Sequence, residues 1–244
     1  MSPMIRGQVA RHTKADGPSL RAVPFQPLAR VHSPLLSRQQ QIRLAAIATE
    51  LHLPARMVLY REDTQSQWVF IVARGVVKAY RDLPSGKRQV MAFLFPADVL
   101  GLAEAGQYVS TAQTVTPAVL YRVRTDELVT MVRCDSDLGF QFLCKVMHEL
   151  RESFRRSVLV GRRDAVGRFA MFLRMLETHA PHRRASCIEV PMSRTDTANY
   201  LGLSLEAVCR ASRSLQKRRI VEFTGVHSAR IVDRPAFERL ASAL

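Results

Sequence analysis

Cysteine is scarce in this chain of 244 residues and is absent from its first 133. The four cysteines, Cys134, Cys144, Cys187 and Cys209, form no CxxC motif and no even framework. This cysteine usage does not indicate a disulfide framework, and a reducing cytoplasm is the expected location. No stretch approaches the ~18 uninterrupted apolar residues of a membrane helix, and the first residues lack the apolar segment of a secretory signal.

Acidic residues are outnumbered, with 21 against 36 Lys and Arg, which gives a formal net charge of +15. The excess lies mainly in residues 151–244, which hold eighteen basic and nine acidic residues, whereas residues 34–150 hold thirteen and eleven. A basic part joined to a nearly neutral body predicts a polyanionic partner, with nucleic acid first and acidic lipid second.

The motifs of common catalytic sites are also missing. The chain has no GxxxxGK[ST], no GxGxxG after a strand, no HExxH and no GxSxG. We therefore do not expect an enzyme. A regulatory subunit that only binds a ligand and a membrane-surface protein are the other classes to weigh against a DNA-binding protein.

Changes in residue pattern divide the chain into four parts. Residues 1–33 lack periodicity and are expected to form a flexible arm. Residues 34–125 open with an amphipathic helix over 34–52, with Ser33 or Ser37 as its cap, and continue with short β-rich runs separated by turns, as in an antiparallel sandwich or barrel. Residues 126–163 have helical periodicity. Residues 164–244 begin with another amphipathic helix, followed by a loop and a short strand.

The helical segment 126–163 carries two apolar stripes. The first steps by 3, 4, 3 and 4 positions, like the seam of a coiled coil. Its members are Phe140, Leu143, Met147, Leu150 and Phe154. Leu138, Phe142 and Val146 lie on a different face. Because one face can pack on the β domain while the other meets a partner helix, we expect a homodimer built on a long dimerisation helix.

The segment after Pro191 predicts a helix, a tight turn, a second helix and a two-stranded wing. Ser193 and Asp196 have the spacing of a capping box at the first helix. Gly202 fits the left-handed residue that ends this helix, and Ser204 caps the next one. The outer face of the second helix is formed by Glu206, Cys209, Arg210, Arg213 and Lys217. Arginine can bond guanine and glutamate can accept from cytosine, so this helix is predicted to read a major groove.

On these residues, the chain from about residue 34 resembles the CRP/FNR family of bacterial transcription regulators, and its FNR/FixK branch above all. PMSRTDTANYLGLSLEAVCR is similar to that branch's helix–turn–helix, whose recognition helix follows E-x-x-S-R. Glu206 and Arg210 keep this pattern, and Cys209 replaces the serine. FIVARGVVKAYR resembles the family's β-roll hairpin, and FPADVLGL resembles its F-x-P-G-D-x-x-G turn, with Ala97 in place of a glycine.

The resemblance implies an α+β protein with an N-terminal antiparallel, jelly-roll-like β-roll sensor domain, a long dimerisation helix and a C-terminal winged helix–turn–helix. It implies a homodimer that binds double-stranded DNA at a near-palindrome of the TTGAT-N4-ATCAA type and controls RNA polymerase. Base contacts are expected from Glu206, Cys209 and Arg210. Phosphate contacts are expected from Ser193, Arg194, Thr195, Ser204, Arg213 and Lys217.

The family's known signals can be compared with the residues. An iron–sulfur cluster needs cysteines in the N-terminal arm, and there are none. A cyclic nucleotide needs a Gly-Glu turn and an arginine beside a Ser/Thr pair. Here the turn reads Gly101-Leu102-Ala103, Glu104 is displaced, and Ser110-Thr111 has no arginine beside it. We therefore expect no cofactor.

A ligand- or haem-responsive regulator remains the alternative. Its candidate metal ligands are Cys144 and His148, which are four positions apart on the dimerisation helix. His179, His182 and Cys187 form a separate, looser group with the residue types of a zinc site. Cys209 provides a further hypothesis, because neighbouring arginines favour the thiolate form of a cysteine. Its oxidation would add bulk or negative charge at the DNA face and weaken binding.

Overall fold

The computed structural model describes residues 38–103, 105–161, 164–179, 187–225 and 227–241. Within them the elements follow in the order α1 (Arg38–Ile47), β1 (Thr49–Leu53), β2 (Val58–Tyr60), β3 (Trp68–Arg74), β4 (Val77–Asp82), β5 (Arg88–Leu94), β6 (Val99–Leu100), β7 (Thr111–Thr114), β8 (Ala118–Arg124), α2 (Thr125–Cys134), α3 (Ser136–Gly161), α4 (Ala165–His179), β9 (Cys187–Glu189), α5 (Arg194–Leu201), α6 (Leu205–Lys217), β10 (Val221–Gly225), β11 (Ser228–Ile231) and α7 (Arg234–Ala241). Across these residues, no helix is long and apolar enough to cross a membrane.

Strands β1 to β8 form two antiparallel sheets, in the orders β1-β8-β3-β6 and β2-β7-β4-β5. Alternation along β3 explains how they pack. Phe70 and Val72 point to the interior between the sheets, whereas Val69 and Ile71 point outward to a layer of helices. The predicted β-roll is confirmed.

Tight turns shape this roll. Gly101 has φ +91°, and a Cβ built there would lie 2.6 Å from the carbonyl oxygen of Trp68. The Phe95–Asp98 turn is closed by a 3.0 Å bond from the Asp98 amide to the Phe95 carbonyl. Its third residue, Ala97, adopts φ +78° at the place where the sequence substitutes alanine for a glycine.

Two boundaries differ from the prediction. The helix expected over 34–52 ends at Ile47, and Thr49–Leu53 form a strand that pairs with β8. Long-range pairing outweighs local helical pattern there. The helical segment 126–163 contains two helices, because Asp135 interrupts it and its carboxylate accepts a 2.9 Å bond from the Leu138 amide at the start of α3. Ser33, Ser37 and the predicted arm lie outside the described residues.

Helix α3 has two different faces, as its two stripes predict. Leu138 and Phe142 are buried against the outer face of the β-roll. On the same side, Lys145 Nζ lies 2.8 Å from Asp98 Oδ1. The first stripe remains exposed in the single chain. Val146, which the sequence pattern groups with Leu138 and Phe142, is exposed as well and differs from the prediction.

The C-terminal part packs α4 to α7 around a small sheet with the order β10-β11-β9. Its core includes Phe172, Leu215 and Phe237, all fully buried. The hairpin β10–β11 provides the predicted wing, and α7 is an element that sequence patterns did not reveal.

Candidate nucleic-acid interface

Local capping interactions define the helix ends in the helix–turn–helix. Ser193 Oγ accepts a 3.0 Å bond from the Asp196 amide at the start of α5. Gly202 ends this helix with φ +61°, in the left-handed region. Ser204 Oγ accepts a 3.1 Å bond from the Ala207 amide at the start of α6. The predicted caps and turn are confirmed.

Helix α6 buries one side and exposes the other. Val208, Ala211 and Leu215 form its buried side. The opposite side carries Glu206, Cys209, Arg210, Arg213 and Lys217, all exposed except Cys209, which is half-buried. Charged side chains four residues apart, such as Glu206 and Arg210, share a helix face. The predicted base-contact residues therefore lie together on an open surface.

The outward surface of α6 carries several cations. Among the described residues, no carboxylate forms an ion pair with Arg210, Arg213 or Lys217. By contrast, Arg230 in the wing is paired with Glu222. The free cations leave a positive potential that suits phosphates.

The remaining predicted phosphate contacts lie at the starts of the two helices. Ser193, Arg194 and Thr195 are exposed at the N-terminal end of α5, and Ser204 is exposed at that of α6. Helix N-termini present amide groups and partial positive charge to an anion. All six predicted phosphate-contact residues are accordingly accessible in the single chain.

Cys209 lies where the two helices approach each other. Its Sγ is 3.4 Å from Arg194 Nη1, at the N-terminal end of α5. The sequence placed this thiol beside the arginines of its own helix, and the structure adds an arginine from the neighbouring helix.

Comparison with known proteins agrees with this architecture. Residues 50–134 match the cyclic nucleotide-binding domain family, and residues 167–240 match the Crp-like helix-turn-helix domain family. The nitrogen fixation regulation protein FixK of Azorhizobium caulinodans is 28% identical over 202 residues, which are 82% of each chain. The solved structure of FixK2 from Bradyrhizobium japonicum superposes with a TM-score of 0.76 at 29% identity, covering 81% of this chain and 99% of that one. The chain belongs to the CRP/FNR family.

Other relatives agree on the class of function. The transcriptional activatory protein AadR of Rhodopseudomonas palustris is 25% identical over 202 residues, covering 81% of this chain and 83% of the relative. This CRP/FNR-family member is thus a FixK/FNR-like transcription regulator with a helix–turn–helix DNA-binding domain, and it is not an enzyme.

The β-roll of this regulator is filled by aromatic side chains at one end. The Tyr108 ring is buried and stacks on Tyr60 at 3.8 Å. Its hydroxyl donates to the Trp68 carbonyl at 2.9 Å and accepts from the Trp68 amide at 3.1 Å. Burial raises the pKa of Tyr60 far above its ordinary value, with Tyr108 adding to the shift. These phenols are therefore neutral hydrogen-bonding groups.

Only some of the residues considered for cyclic-nucleotide or metal binding lie in the described part of the chain. Ser110 and Thr111 are buried, and Thr111 Oγ1 accepts a 3.1 Å bond from the Glu62 amide. Glu104 and His182 and the side chain of His148 lie outside the described residues. In the part of the chain that is described, no three His, Cys, Asp or Glu side chains group as metal ligands.

Sequence reasoning missed two features of the site. Leu205 is 47% exposed at the first position of α6, next to Glu206, where an apolar side chain can contact a thymine methyl. Its position in the sequence, between the cap Ser204 and the predicted base-contact residue Glu206, was the available signal. Arg168 of α4 donates to the carbonyl of Leu201 at 3.1 Å and thereby supports the end of α5. No local pattern marks this contact.

Proposed function

We propose that this regulator binds as a homodimer to a near-palindromic site of the TTGAT-N4-ATCAA type and thereby controls RNA polymerase in the cytoplasm. The observation that carries the proposal is the exposed Glu206–Arg210 pair on α6, beside cations that form no ion pair with any described carboxylate. Arginine can bond guanine O6 and N7, and glutamate can accept from the N4 amine of the paired cytosine. Cys209, one residue before Arg210, would contact an adjacent base.

The dimer is supported by the exposed stripe on α3. Its five side chains retain between 45% and 63% of their accessible surface in the single chain. This stripe is defined by Phe140, Leu143, Met147, Leu150 and Phe154. A continuous apolar stripe opposite a buried face is the pattern of a helix that pairs with a second copy. We assign 1–33 to an arm, 34–125 to the sensor domain, 126–163 to dimerisation and 164–244 to DNA binding.

We infer that the dimer binds DNA without an iron–sulfur cluster or a cyclic nucleotide. The N-terminal 133 residues lack cysteine, and Ser110 and Thr111 lack a neighbouring arginine in the sequence. The alternative is a regulator that responds to haem or another ligand through the β-roll and α3. Titrating the protein with haem, and measuring DNA affinity with and without it, distinguishes the two proposals.

We further propose that oxidation of Cys209 modulates binding. A sulfenic or sulfinic group at this position would bring bulk or negative charge towards DNA phosphates and disturb the contact with Arg194. Peroxide should weaken DNA binding of the native protein and leave the Cys209→Ser protein unaffected. Equal losses in both proteins would refute this role.

Base reading is tested by replacing Arg210 with Ala and measuring equilibrium binding to the palindrome and to duplexes with each half-site base changed. We expect the native protein to lose affinity when the central G·C pair of the half-site is replaced. The Arg210→Ala protein should bind the original site more weakly by about 1–3 kcal/mol and no longer distinguish that base pair. Arg239→Ala, which removes one exposed arginine from α7, is the matched control. Retained discrimination in Arg210→Ala would contradict the assignment.

A further inference from the structure

The β-roll and the helix–turn–helix are joined by a contact between β4 and α5. Lys78 Nζ in β4 lies 2.5 Å from Asp196 Oδ1 in α5, although the two residues are 118 positions apart. Their side chains are only 10% and 15% exposed. Charged groups that are largely removed from water need such a partner, so this ion pair fixes both side chains.

Neighbouring contacts extend this junction along β5. Gln89 Nε2 donates a 2.6 Å bond to the carbonyl oxygen of Asn199 in α5. The Phe93 ring lies 5.1 Å from Tyr200 in the same helix and 6.1 Å from Phe172 in α4. One apolar core therefore runs from the β-roll into the DNA-binding part. The helix–turn–helix is docked on the roll rather than only connected to it by the chain.

Asp196 links this junction to the end of α5 that carries the proposed phosphate contacts. One carboxylate oxygen binds Lys78, and the other accepts a 2.9 Å bond from Ser193 Oγ. Ser193 also caps α5 and is one of the proposed phosphate contacts. Among the described residues, the outward side chains of α6 form no hydrogen bond or ion pair with Lys78, so the proposed reading surface itself stays open.

We propose that Lys78 is a positioning residue for DNA binding: through Asp196 it holds α5, and with it α6, in one orientation relative to the β-roll. The inference rests on the proposed binding of a homodimer to a palindrome. The roll is in turn tied to α3 through Lys145 and Asp98. Because α3 would bring the two rolls together, the Lys78–Asp196 contact sets the separation of the two recognition helices and hence the accepted half-site spacing.

Loss of this ion pair should change the preference for half-site spacing without changing the recognition of bases. Replacing Lys78 with Met keeps much of the side-chain length but leaves Asp196 as a shielded carboxylate without its cation. The helix–turn–helix can relieve this by moving towards water. The spacing preference should then relax, while the hydrogen bonds of Glu206 and Arg210 to bases stay intact.

The test is equilibrium binding of the full-length native and Lys78→Met proteins to palindromes with three, four and five base pairs between half-sites. We expect the native protein to bind the palindrome with one of the three spacers about tenfold or more tightly than the other two. The Lys78→Met protein should bind that palindrome about tenfold more weakly than the native protein does, and its affinities for the three palindromes should differ little. Discrimination against a substituted half-site base should be unchanged. Lys87→Met, which removes an exposed lysine from the β4–β5 turn, should behave as the native protein.

A second variant provides the test if the Lys78→Met protein does not fold. Gln89→Ala removes the half-buried amide that donates to the carbonyls of Asn199 and Val90, and it should relax the spacing preference in the same direction but to a smaller extent. A native-like spacing preference in the folded Lys78→Met protein, or in Gln89→Ala where Lys78→Met does not fold, overturns the positioning role. If the native protein binds every palindrome no better than scrambled DNA, the proposed function fails, and this inference fails with it.

Discussion

Replacing Leu143 with Glu should convert the proposed dimer into monomers. Complete burial of a large apolar side chain stabilises by about 1.5–3 kcal/mol. Leu143 is 55% exposed in the single chain, so its burial in a dimer would contribute about 1 kcal/mol per protomer. Glutamate removes this contribution twice and puts two carboxylates into an apolar seam, each at a further cost of about 1 kcal/mol or more. The total of about 4 kcal/mol corresponds to a roughly thousandfold weaker dimer.

Sedimentation equilibrium over a wide range of protein concentration measures this change directly. Val129→Glu is the matched control, because Val129 is a 42% exposed apolar residue on α2, outside the stripe. It should leave the dimer unchanged, and the Leu143→Glu protein should also lose affinity for the palindrome. A Leu143→Glu protein that stays dimeric at the concentrations where Val129→Glu is dimeric would refute the assignment of this face.

Three further outcomes follow from local geometry and charge. Gly101→Ala should lower the free energy of unfolding by about 2 kcal/mol or more in urea titrations, because its φ is +91° and a Cβ would lie 2.6 Å from the Trp68 carbonyl oxygen. Hydrogen bonds from the Leu138 amide and, to a lesser extent, from the Gln40 side chain lower the pKa of Asp135. The ionised carboxylate therefore stabilises the fold at pH values above the ordinary pKa of an aspartate, and this stabilisation is lost as the pH falls through the lowered pKa. Asp135→Asn should therefore flatten the acid side of the stability–pH curve. Arg213→Ala should reduce the slope of log affinity against log salt by about one.

Each of these outcomes has a comparison that can contradict it. Gly86→Ala meets no atom within 4 Å, although its φ is also positive, and should cost less than Gly101→Ala. Asp137→Asn removes a neighbouring exposed carboxylate. If it reduced the pH dependence of stability as much as Asp135→Asn does, the assignment of this dependence to Asp135 would be wrong. Arg239→Ala should leave the salt slope unchanged, and an equal decrease would show that Arg213 acts only through net charge.

The helix–turn–helix could be predicted from sequence because its signals are local. A cap, a left-handed glycine and a 3.6-residue period each act within a few positions, as at Ser193, Gly202 and Ser204. The outward orientation of the proposed reading face followed from the same period, since burial of Val208 and Leu215 turns Glu206 and Arg210 outward.

Features that depend on distant partners could not be predicted in this way. Thr49–Leu53 are a strand because they pair with β8, about 70 residues further along the chain. The break at Asp135 was hidden because apolar periodicity continues in the helices on both sides. The Lys78–Asp196 pair joins two domains and leaves no signal in either local sequence.

The most direct test of the account is equilibrium binding of the purified, reduced and ligand-free protein to a TTGAT-N4-ATCAA duplex and to a scrambled duplex at one stated salt concentration. We expect the protein to bind the palindrome at least about 10³-fold more tightly than the scrambled duplex, without any added ligand. Equal affinity for the two duplexes under these conditions would contradict it.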